Sequence, residues 1–156
     1  MKLAEALTAR ADLQRRIEQL RSRIIANARF QEGEEPSEDA NVLLGEAETD
    51  LARLRELIGR INATNARLAM GADGTMTDAL AARDVLRLQH SVLSDAAAAA
   101  SGSGVAFGGR QMRSELRQIS ALPVAELRAK ADRVAQELRE LDNRIQQANW
   151  LNDLEE

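Results

Sequence analysis

The 156-residue sequence predicts a mainly all-α fold: a four-helix bundle of long helices, with a short extended arm or hairpin between helices 3 and 4. Three observations carry this expectation. Aromatic residues make up 2% of the chain, so Ala, Leu, Ile and Val must build the core, a palette that suits helices better than a large sheet. Apolar residues recur at alternating spacings of three and four along most of the length, the mark of amphipathic helices. The periodic stretches are separated by short segments rich in Gly, Pro and Ser. The length is that of a single domain spanning 1–156.

The first predicted helix covers about 2–29, with a seam of Leu3, Ala6, Arg10, Leu13, Ile17, Leu20, Ile24 and Asn27. At 1.5 Å per residue it spans roughly 42 Å, too long for burial in anything but a bundle. QEGEEP at 31–36 ends the pattern, because Gly33 permits a turn and Pro36 turns Glu35 away from helix. Ser37 is the expected N-cap of a second helix over 38–69. Its strict series is Leu44, Ala47, Leu51, Leu54, Ile58, Ile61, Asn65 and Leu68. Asn65 interrupts that series, either as a register-setting residue or as a satisfied core amide.

GADGT at 71–75 reads as a turn, with Thr75 or Thr77 capping a third helix over 77–100. Leu80, Val85, Leu86, Leu88, Val92 and Leu93 cover a broad face of it, and five alanines close it. A flexible Gly/Ser-rich connection follows at 101–111, with Phe107 its one aromatic. Residues 112–122 fit either a helix or an extended segment. Pro123 suits the first turn of a fourth helix over 123–150, seamed by Val124, Leu127, Ala131, Val134, Leu138, Leu141, Ile145 and Ala148. Wide apolar stripes on long helices lead to an expected homo-oligomer.

Charge is unevenly placed. Residues 1–30 carry a net +4, residues 31–50 a net −8, and the remainder is neutral. The acidic block either solvates a loop or attracts the basic helix, within the fold or in another subunit.

Composition and motifs exclude several chemistries. Without cysteine there is no disulfide framework, thiol nucleophile or thiolate metal site. The one histidine, His90, follows Arg87 by three residues, so the Glu-x-x-His pair of bundle metalloenzymes is missing. GVAFGGR lacks the lysine and spacing of a phosphate loop, and the serines have no recognisable histidine partner. Glu32, Glu34 and Glu35 could offer oxygen ligands to a metal, but not in the spacing of a calcium loop. No metal and no cofactor are expected. Nucleic acid is not expected as a partner either, since the protein is acidic and nearly free of stacking aromatics. No apolar run reaches the roughly 18 residues a membrane span needs, so a cytoplasmic location is expected and a membrane partner is not. Trp150 either anchors an interface or plugs one end of the bundle.

LAEAL (3–7), RADLQ (10–14), QEGEEP (31–36), RINATN (60–65), ARDVL (82–86), RSEL (113–116) and LDNRIQQANW (141–150) together resemble the septicolysin-like family of small bacterial proteins, in order along nearly the whole chain. The resemblance implies a helical fold and brings no established catalytic residue. It also implies an extended arm across RSELRQISALPV, although the inserted VAFGG shifts where that arm begins. The functional expectation is binding or scaffolding without catalytic chemistry, with Asn65, Phe107, Arg113, Glu115 and Trp150 as candidate oligomer or partner contacts. Two alternatives remain open. One is a metal-dependent or metal-binding protein with Glu32, Glu34 and Glu35, joined by Arg113 and Glu115, in an intersubunit site. The other is a membrane-active lysin, as the family name implies, though no amphipathic hairpin supports pore formation.

Overall fold

The computed structural model describes residues 1–102 and 118–155. The fold is all-α, and its helices pair as in a helical bundle: α1 (Leu3–Asn27), α2 (Ala40–Arg67), α3 (Met76–Ala100) and α4 (Val124–Leu151), with one 3-10 turn at Gly71–Asp73. All four helices lie within three residues of their predicted bounds. The predicted arm falls largely on 103–117, outside the described residues, as do Phe107, Arg113 and Glu115. The described part of that connection, 118–122, is neither helix nor strand.

The chain divides into two compact units, Met1–Ala69 with Gln146–Glu156, and Met70–Ile145. In the first, α1 and α2 form an antiparallel hairpin, as the pairings Arg23 with Glu38, Arg16 with Asp50 and Leu3 with Ile61 require. The α1 seam is buried or half-buried at every predicted position from Leu3 to Asn27. On α2 the phase differs from the prediction. Leu44 and Leu51 are 48 and 50% exposed, while the preceding residues, Leu43 and Asp50, are buried. The line Ala47, Leu54, Ile61, Leu68 stays on the inner face, but its companions are Leu43, Asp50, Leu57 and Thr64. The described core line of α2, packed against α1 and Leu154, thus lies at Leu43, Asp50, Leu57 and Thr64, one residue earlier than the symmetric seam of a coiled coil at those turns.

Asp39, not Ser37, caps α2: its carboxylate accepts from the amides of Asn41 (2.8 Å) and Val42 (3.4 Å). The helix starts two residues later than expected, and Ser37 stays in the preceding bend.

Asp50 is a carboxylate only 2% exposed in this seam. Arg16 reaches it from α1 with Nε 2.8 Å from Oδ2, Arg53 stands 3.5 Å from Oδ1, and Arg16 is also 3.6 Å from Glu46. The far end of the hairpin is clasped by the C-terminal residues. Leu154 packs against Leu3, Ala6 and Ile61. Leu3 donates its amide to the Asn152 carbonyl (3.0 Å), Leu154 donates to that of Met1 (2.8 Å), and Lys2 pairs with Asp153. The buried Thr64 hydroxyl donates to the Arg60 carbonyl (2.8 Å) and accepts from the Glu155 amide (3.0 Å).

In the second unit Thr75 caps α3 through a capping box with Asp78. The Asp78 carboxylate accepts from the Thr75 amide and hydroxyl, and these bonds hold it below its ordinary range. Gly74 precedes it at φ +79°, and a Cβ there would meet the Asp78 carboxylate at 2.7 Å. Arg144 of α4 grips Asp73 (2.7 and 3.1 Å), and Arg87 of α3 stands 3.5 Å from Asp142 of α4.

Two outcomes follow. Gly45 and Gly59 sit inside α2 with open space where a Cβ would go. Replacing either with Ala should stabilise the protein by about 0.5–1 kcal/mol in thermal unfolding, because Ala loses less backbone entropy on entering a helix, whereas Gly74→Ala should destabilise it. Asp50→Leu should leave stability unchanged or improved, since the buried carboxylate then need not be desolvated while the arginines stay exposed. Arg16→Ala should cost about 1–3 kcal/mol by stranding the buried carboxylate. Urea unfolding of the two variants tests the contrast.

Candidate functional site

The turn between α1 and α2 is built from the residues that the composition singled out as most acidic. Gln31 accepts the Glu34 amide through its carbonyl (3.0 Å), and Gly33 supplies φ +90° in that turn. Asn27 ties the two ends together: its Nδ2 donates to the Arg23 carbonyl (2.9 Å) and its Oδ1 accepts the Glu38 amide (3.1 Å). Arg23 closes the same span with a two-pronged ion pair to Glu38, Nε lying 2.9 Å from Oε2. The hydrogen bond from Arg23 holds the Glu38 carboxyl below its ordinary range, and the same contact holds the guanidinium above its own.

This closure frames an open groove of about 700 Å³. Ile24, Phe30, Pro36 and Leu44 give it apolar walls, and Glu35 stands on its rim. Phe30 is 64% exposed, an unusual position for one of only two phenylalanines in the chain. Glu32, Glu34 and Glu35 are exposed and make no side-chain hydrogen bond or ion pair among the described residues. Nor do acidic or histidine side chains gather anywhere among those residues in a group of three fit to hold a metal.

The acidic block thus divides in two. Glu38, Glu46 and Asp50 meet the arginines of α1, the intramolecular attraction the charge asymmetry allowed. Glu32, Glu34 and Glu35 remain uncompensated in the turn.

The other candidates lie apart from this groove. Asn65 is half-buried, and Thr64 beside it holds the buried polar position. Trp150 is 61% exposed, so it does not plug the core; Asn149 next to it is the buried residue. In the second unit His90, Ser94, Arg128 and Asp132 line a smaller groove of about 340 Å³. Among the described residues no hydrogen bond links His90 to Ser94 or Asp132, so no nucleophile–base relay forms there. Phe30 and Asp50 escaped the sequence reading. The first lies just past a helix end, and the second sits one position before a seam leucine, where a carboxylate reads as solvated.

These features define an all-α protein whose prominent surfaces, among the described residues, are an acidic, partly apolar groove and exposed apolar positions on its helices. The chain belongs to DUF6847, a family of unknown function, whose profile matches residues 10–154. It is similar to a functionally unknown conserved protein from Corynebacterium diphtheriae, known from a crystal structure. The two share 36% identity over 99% of each chain, with a TM-score of 0.90. No curated protein matches the chain.

A pH dependence follows from the Arg23–Glu38 closure. A carboxyl held below its ordinary value near 4.5 contributes stability at higher pH and loses it as pH falls through the lowered folded value. The stability difference between wild type and Glu38→Gln should therefore shrink on acidification below that value. Carbon NMR of the Glu38 carboxyl should show a lower midpoint in wild type than in Arg23→Ala; equal midpoints would disprove the closure.

Proposed function

We propose that this protein is a cytoplasmic scaffold that works by self-association and partner binding, without catalytic chemistry of its own. One observation carries the reading. Val85, Leu88 and Val92 of α3 are 63, 67 and 59% exposed at spacings of three and four, a heptad row that faces outward. Each such aliphatic side chain, once fully covered, contributes roughly 1.5–3 kcal/mol, so leaving the row wet is costly unless something covers it.

A second copy fits this row on electrostatic grounds. The charges beside the row are paired, Asp84 with Arg83 (3.1 Å) and Arg87 (3.9 Å) and Arg87 with Asp142 (3.5 Å), and Gln89 and Ser91 carry no charge. An isologous contact places a patch against itself, and a neutral apolar patch meets no like charge there. The exposed Trp150, with Leu151 beside it at the end of α4, offers a further anchor of the kind that dominates interfaces. The resemblance to septicolysin-like proteins implies a helical fold only and is part of the same proposal. No described helix is long and apolar enough to cross a membrane.

Light scattering on a sizing column should find a dimer or larger species at micromolar protein. Leu88→Glu should return it to monomer with its helical circular dichroism intact. A monomeric wild type, or an assembly indifferent to Leu88→Glu, would overturn the reading.

A further inference from the structure

We propose that the groove between the α1 C-terminus and the α2 N-terminus is a docking site for a basic amphipathic segment of another protein. This is independent of the α3 self-contact. The groove combines two features that are rarely left open together. Its walls offer Ile24, Leu44 and the protruding ring of Phe30 to an apolar side chain. Its rim carries Glu35, with Glu32 and Glu34 in the same turn, and none of the three is compensated among the described residues.

Charge complementarity selects the occupant. Of the eight carboxylates in residues 31–50, Glu38, Glu46 and Asp50 are matched by arginines, and Asp39 is engaged by the α2 amides. The unmatched remainder is concentrated at the turn. A second copy meeting this groove with its own would bring the same three glutamates and be repelled, as would nucleic acid or an anionic membrane surface. A helix or strand with Lys or Arg beside one or two large aliphatic residues satisfies both features: its apolar side chains enter beside Phe30 and its cations meet the glutamates. About 700 Å³ accommodates several side chains, and the Asn27 and Arg23 tethers fix the groove before anything binds.

The test uses a fluorescein-labelled synthetic helix of about four turns with Leu on one face and Lys on the other. Its control is the same peptide with Glu in place of every Lys. Anisotropy titration of the full-length protein should show saturable binding of the basic peptide that weakens as salt rises, and none of the acidic one. Phe30→Ala should weaken it about tenfold or more. The triple change Glu32→Gln, Glu34→Gln, Glu35→Gln should weaken it and abolish most of its salt dependence. Amide NMR shifts in the wild-type protein should centre on residues 28–44.

Equal binding of the acidic peptide, or full affinity in Phe30→Ala, would overturn the proposal. So would shifts centred on Val85, Leu88 and Val92, which would assign the peptide to the self-association face. Should either variant lose its helical circular dichroism, the shift map of the wild-type protein decides alone.

Discussion

Arg16 crosses from α1 to reach a carboxylate that water scarcely touches, and the pairing of the first two helices is organised around that contact. Apolar packing alone would let two long amphipathic helices slide by a turn, since one leucine resembles the next. A buried Asp50 opposes such a slip, because a register that removes Arg16 leaves the carboxylate with Arg53 of its own helix as its remaining ion-pair partner. With that register set, Asn27 falls opposite Glu38 at one end and Leu3 falls beside Ile61 at the other. The C-terminal residues can then close over Leu3 and Ala6. The turn, the groove and the clasp are consequences of one alignment.

The same alignment explains how a strongly polarised sequence becomes a protein with little uncompensated charge along α1. Arg16 and Arg23 of α1 meet the acidic start of α2 because the hairpin folds one onto the other, while Arg15 and Arg21 pair with Asp12 and Glu18 of their own helix. What that pairing cannot reach is the turn itself. There the chain reverses, Glu35 lines a partly apolar hollow, and Glu32 and Glu34 in the same turn make no ion pair among the described residues.

Two surfaces therefore differ in the company they favour. The α3 row is apolar and locally neutral, which suits a symmetric contact. The groove at the hairpin turn is apolar and negative, which suits an unlike partner.

Much of this was legible in the residues. The three-and-four spacing located all four helices, Gly33 and Pro36 marked the turn, and Thr75 announced its cap. The charge sums allowed either a solvated acidic loop or attraction to the basic helix, and the structure shows Glu38, Glu46 and Asp50 in the second arrangement. The rotational phase of α2 was not legible. Leu44 and Leu51 complete a regular seam on paper, yet Leu43 and Asp50 are the buried pair. Periodicity states how often a helix returns to a face, whereas the face chosen depends on which neighbour covers it, and that is a property of two helices together. Trp150 was ambiguous and Phe30 gave no signal for the same reason, since exposure is not carried by a residue's type. The sequence by itself determined an all-α chain of four long helices with one acidic turn. Only the tertiary structure decided which carboxylate is buried, which glutamates stay unmatched and which apolar residues face water, because burial and charge compensation arise between segments distant along the chain.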